Sequence, residues 1–169
     1  MSPFALLQVS SLAVFALLLV GAGWQDLRTM RIANGVSLAV VGCFVCWALA
    51  SLALGTISLA AIAWSVACAA ILFAVGALGF AAGVMGGGDV KLLGAGALFA
   101  GPDHLLVFLT VTALAGGLLG LAVLAGARLG PAELAPAGAA RARLRAGLPY
   151  GPAIAAGGLW VAAMLAAPL

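Results

Sequence analysis

Charge is what this chain has least of. Lys, Arg, Asp and Glu make up 7% of its 169 residues, whereas 66% are hydrophobic and the mean hydropathy is +1.32. Soluble domains carry about 25% charged residues, so the composition is that of an integral membrane protein. The length suits one domain of about five to seven helices and leaves no room for a sizeable soluble module. The net charge is only +3 and no basic face is available, which excludes nucleic acid as a partner. A single histidine, His104, leaves no Ser/His/Asp set to assemble. Cysteine is scarce as well. Cys43 and Cys46 form a C-x-x-C with no second pair and no nearby His, so the four ligands of a zinc site are missing. They read, with Cys68, as small buried residues within the membrane, and neither metal nor cofactor is expected. No basic stretch precedes the first apolar run, which therefore reads as an uncleaved span despite the small residues Gly21-Ala22-Gly23.

What is present is a series of apolar runs punctuated by short polar turns. Spans are expected at residues 4–23, 35–54 and 57–82, each about long enough to cross a ~30 Å hydrocarbon core. Trp24 follows the first as an interfacial anchor would. A short fourth helix has to begin near Gly86 to cross before the Gly101-Pro102-Asp103 turn, which puts Asp89 in its first turns. A fifth is expected at 105–127 and a last at 150–167 after a polar loop, 128–148. With six spans, Arg28, Arg31, Lys91, Arg128, Arg141, Arg143 and Arg145 all fall on one side, which is every Lys and Arg in the chain. Asp103 and His104 fall on the other. By the positive-inside rule the basic side is cytoplasmic and both termini face out. The fold class is thus all-α, a polytopic bundle of six transmembrane helices forming a single membrane-embedded domain over 1–169. Pairs of small residues four apart, Gly79/Gly83, Gly116/Gly120 and Gly126/Gly130, read as sites of close helix packing.

Against this background two acids stand out. No Asp, Glu, Lys, Arg or His occurs from Ala33 to Gly88; then comes Gly86-Gly87-Gly88-Asp89-Val90-Lys91, with the only lysine two places after the acid. A carboxylate at the edge of a bilayer-length apolar region costs up to ~2.5–3.5 kcal/mol on insertion-based scales, so such residues usually serve chemistry or conduction. Glycines before it allow backbone shapes closed to other residues or let another chain approach. Asp26 lies in a similar setting at the end of the first span. The six-span layout brings Asp26 and Asp89 to the same side of the membrane. Two carboxylates held close cannot both ionise easily, so one keeps a proton. The ionised partner can draw a proton from water while the protonated one polarises a carbonyl, the division of labour in aspartic proteolysis. Either acid alone could instead be a juxtamembrane charge beside an arginine.

The stretch Asp26-Leu27-Arg28-Thr29-Met30-Arg31-Ile32-Ala33-Asn34 resembles the first-aspartate motif of bacterial type IV prepilin peptidases, in which an Asp precedes Ile-Pro-Asn. Gly86-Gly87-Gly88-Asp89-Val90-Lys91 resembles their second motif, Gly-x-Gly-Asp followed by x-Lys. Leu148-Pro149-Tyr150-Gly151-Pro152-Ala153 is similar to the family's Pro-x-Gly-Pro-Ala segment. The three occur in family order and cover most of the chain. The resemblance implies a membrane-embedded aspartic endopeptidase that cuts prepilin leaders at the cytoplasmic boundary, just before the pilin's hydrophobic helix. Asp26 and Asp89 would be the catalytic pair, Gly86 and Gly88 would shape the loop, and Lys91 would be an accessory or a positive-inside anchor. Ala33 stands where the family has Pro. No N-terminal module with two C-x-x-C pairs is expected, which likens the chain to short members serving Flp-type (tight-adherence) pili. The implied partners are a prepilin, the bacterial inner membrane's lipid and pilus assembly proteins. From a different class, a non-catalytic assembly subunit or a small ion- or proton-coupled transporter using Asp26 and Asp89 stays open.

Overall fold

The computed structural model describes residues 2–127 and 148–167. The loop 128–148, with Arg128, Arg141, Arg143 and Arg145, lies outside the described residues apart from Leu148. Five helices are present among the described residues: α1 (Pro3–Thr29), α2 (Asn34–Ala53), α3 (Leu59–Ala81), α4 (Gly87–Leu124) and α5 (Gly151–Ala166). The first four are long and apolar enough to cross a membrane.

Helix starts follow local chemistry. Ser2 caps α1 by accepting from the Ala5 N–H at 3.2 Å, with Pro3 at the first helical position, where its missing N–H costs nothing. Ser58 caps α3 in the same way through the Ala61 N–H at 3.1 Å. Gly83, at φ 72°, ends α3.

Five helices are found among the described residues where six were expected, because the fourth and fifth expected spans are joined in α4. That helix is interrupted at Gly101, whose φ of 53° and ψ of −169° are open essentially to glycine alone. Pro102 follows at once. The interruption is a reversal. The ring tip of Phe108 lies about where a Cβ on Gly96 would touch it, at 3.0 Å, whereas a straight helix would set these residues about 18 Å apart. The two arms, 87–100 and 102–124, therefore fold back on one another.

α4 is the centre of the bundle. It packs against α2, α3 and α5, while α1 packs against α2 and α5. Phe99, on the first arm, anchors the core: it stacks on Phe15 of α1 at 3.9 Å and meets Phe44 of α2 edge-on at 5.4 Å. Close approach between helices falls at other glycines than the pairs expected. A Cβ on Gly79 or Gly83 would meet nothing, and one on Gly120 would barely touch Leu148. Gly116 makes ordinary contact with Ala153 and Tyr150, and Gly130 lies outside the described residues. The tighter seams are Gly23 of α1 on Pro152, and Gly158 of α5 on Leu19. Cys46 is likewise not buried: it is exposed on the outside of α2, and Cys43 is half-buried.

Candidate active site

Asp26 belongs to a helix rather than to the turn expected after Trp24. α1 runs on through Gln25, Asp26 and Arg28, of which Gln and Arg are good helix formers, and the face that buries Leu19, Ala22 and Gly23 also turns Asp26 inward. Only 4% of Asp26 is exposed. Arg28, on the outer face, lies over the Trp24 ring at 4.7 Å and is engaged there. The helix closes at Met30, a left-handed residue (φ 54°, ψ 30°) whose N–H donates to the Asp26 carbonyl at 2.8 Å. α2 begins four residues later, at Asn34.

Asp89 is the third residue of α4, in its first turn as expected from sequence, and is 9% exposed. Gly86 is the N-cap, and the Asp89 carboxylate turns back towards its backbone at the helix N-terminus. An acid is also favoured here by the helix dipole, so the position has a structural use of its own.

The two acids line one cleft of about 280 Å³, together with Met30, Arg31 and Ile32 from the α1–α2 turn and the three glycines that open α4. The glycines do not serve unusual backbone shapes. Gly86 has φ −71° and ψ 143°, open to any residue. They serve close approach: a Cβ on Gly86 would lie 2.8 Å from Asp89 Oδ2, and one on Gly88 would lie 3.1 Å from the Ile32 side chain and 3.2 Å from its carbonyl oxygen. Gly88 thus lets the α1–α2 turn, and with it Asp26, come against the start of α4.

One partner of the site carried no assigned role in the sequence. The backbone N–H of Gly151, first residue of α5, donates to Asp26 Oδ2 at 2.7 Å across 125 positions of chain. Helix N-termini present such unsatisfied N–H groups. Its only signal in the sequence is the Pro-x-Gly-Pro-Ala resemblance. Lys91 is not brought to the cleft. Its Nζ donates to Asn34 Oδ1 at 2.8 Å, on another face of α4.

The sequence model of the type IV leader peptidase family matches residues 13–121, most of the chain. The chain belongs to that family. Comparison with curated proteins and with solved structures gave no match. Type IV leader peptidase membership indicates a peptidase, and the long apolar helices indicate a multi-pass membrane protein. The matched stretch includes Asp26, the glycine run and Asp89. In this family member Gly151 lies beyond the matched stretch and meets Asp26 only through the fold.

Proposed function

We propose that this chain is an aspartic endopeptidase that removes the leader of type IV prepilins, of the Flp kind, at the cytoplasmic face of the bacterial inner membrane. The observation that carries this reading is the shared cleft: two nearly buried carboxylates from helices far apart in sequence line one small cavity in a chain of leader-peptidase family. In the proposed reaction one carboxylate takes a proton from water as the water oxygen bonds to the scissile carbonyl carbon, and its protonated partner donates its proton to the carbonyl oxygen. The C–N bond then breaks as the first carboxyl passes its proton to the leaving amine, and the second takes its proton back from the hydroxyl as the new carboxyl forms. Gly151 fixes Asp26 by one oxygen, Oδ2, and leaves Oδ1 to work. The narrowness of the cleft suits an extended peptide held by its main chain.

The domain is a single membrane unit in this reading, with each arm of α4 making its own crossing, hence six in all. Support comes from charge. Arg28, Arg31 and Lys91, the basic residues among those described, gather at the cleft end. Asp103 and His104 sit at the Gly101 reversal, in a cavity shared with Gln8 and Thr56 at the far end. Pilus assembly proteins are the proposed further partners.

Co-expression with a candidate prepilin tests the function. Asp26→Asn and Asp89→Asn should each leave the leader uncut at normal membrane abundance. Normal processing by both variants would refute the dyad and favour an assembly subunit or a transporter.

A further inference from the structure

The face of α4 turned away from Asp89 borders a second cavity. At about 100° per residue, Lys91 is roughly 200° around the helix from Asp89, and Gly94 and Leu98 continue its line. α2 and α3 each pack on α4 but scarcely on one another. The gap between them is a groove of about 570 Å³, with Leu38 on one wall and Phe73 on the other. Its body is apolar and open to the side: Leu38 is 71% exposed and Phe73 45%.

One end of the groove is polar, and it is the end nearest the start of α4. There Lys91 donates to Asn34 Oδ1. A lysine only donates, so Asn34 must turn its oxygen to it and its amide NH₂ away. Ser37 beside them is 6% exposed and its Oγ is shut off from the groove. The groove end therefore offers a cation and an amide donor, with no acid in its lining. The complement of that set is an anion. The complement of the rest is a hydrocarbon chain.

Charge decides between a lipid and an apolar protein helix. The walls run from Asn34 to Val41 and from Lys91 to Leu98, about 10 Å of helix each, so the cationic end and the apolar body lie within reach of one headgroup and the start of its acyl chain. Basic pockets between helices at the cytoplasmic side are a known kind of seat for anionic headgroups.

We propose that the α2–α3–α4 groove binds an anionic phospholipid, its phosphate held by Lys91 and Asn34 and an acyl chain lying between Leu38 and Phe73. The site is separate from the aspartate cleft and requires nothing of the peptidase reading.

The test uses the purified full-length protein in neutral detergent, with lipid adducts counted by native mass spectrometry. Phosphatidylglycerol should be retained in preference to phosphatidylcholine, and millimolar inorganic phosphate should not displace it. Lys91→Gln should weaken phosphatidylglycerol retention about fivefold, as for loss of one basic residue near a headgroup, while Lys91→Arg should keep it. Ala70→Trp, from an exposed position on the α3 wall, should block the groove to both lipids, and Ala63→Trp, exposed on α3 outside it, should not. Equal retention of the two lipids, unchanged binding in Lys91→Gln or Ala70→Trp, displacement by phosphate alone, or displacement by an apolar helical peptide would each overturn the assignment.

Discussion

Gly151→Ala is the perturbation on which the proposed site turns. In an ordinary helix this change is favourable by up to ~1 kcal/mol, because alanine has less backbone freedom to lose. Here the added Cβ would stand 2.6 Å from Asp26 Cβ, 3.0 Å from its Cγ and 2.9 Å from Oδ2. Carbon atoms pack best at about 3.5–4.0 Å, so one of the two must retreat by about 1 Å. α5 cannot easily do so, since it also packs on α4, where a Cβ on Gly157 would come within 2.7 Å of the Phe108 carbonyl oxygen and Ala153 lies in contact with Gly116. Asp26 is then the group that moves, and the 2.7 Å bond from the Gly151 N–H opens.

Overpacking of this kind costs about 1–3 kcal/mol, and a hydrogen bond to a charged group about 1.5–3 kcal/mol, so the clash outweighs the propensity gain. For the reaction the displacement matters more than the stability. A 1 Å misplacement can cost about 100-fold in rate. The assay is leader cleavage per unit of membrane-inserted enzyme, with Gly117→Ala as the companion variant, since a Cβ there meets nothing within 4 Å. Gly117→Ala should keep wild-type activity, and Gly151→Ala should lose about two orders of magnitude. Equal rates for the two variants would show that the α5 terminus does not position Asp26.

Other expectations follow from the same geometry. Gly88→Val should cripple cleavage by wedging the Ile32 turn away from α4, although no reactive group is lost, and wild-type turnover would make the glycine mere filler. Ala33→Pro should be neutral or stabilise by about 0.4–1 kcal/mol, because Ala33 already sits at φ −66°, and a lowered thermal midpoint would contradict this. Cys43→Ser with Cys46→Ser should leave cleavage unchanged, and a double variant that inserts normally yet is inactive would assign the pair a role. A cysteine placed at Thr56 should react with an impermeant thiol reagent from outside only, and one at Arg31 from the cytoplasm only; the reverse pattern would invert the topology.

How much of this could be seen in the sequence depended on whether the property was local. The two acids were legible because charge is so rare that each one is conspicuous, and the segregation of Lys and Arg already put them at one end. The placement of Asp89 in a first turn was legible too, since the apolar run before Gly101 is too short to cross on its own. The end of α1 was not. Gln25 to Thr29 look like a polar turn by hydropathy, but a helix ends where its backbone finds a terminator, and none occurs before the left-handed Met30.

Glycine was the least legible residue, because its spacing does not say which of its uses is in play. Gly79/Gly83 has the spacing of a packing motif, yet Gly83 serves as the left-handed stop of α3 and Gly79 faces nothing. Gly101 reads as a turn, and the structure makes it a reversal inside α4 that returns Phe108 onto Gly96. Gly151 is the instructive case. Its neighbours place it in the Pro-x-Gly-Pro-Ala resemblance, but they assign it no role, and its importance comes from the absent Cβ facing a carboxylate 125 residues away. A site assembled from the end of one helix, the start of a second and the start of a third is thus half visible in sequence. Its acids are marked by their cost in an apolar chain, whereas the backbone group that aims one of them has no physical mark of that kind.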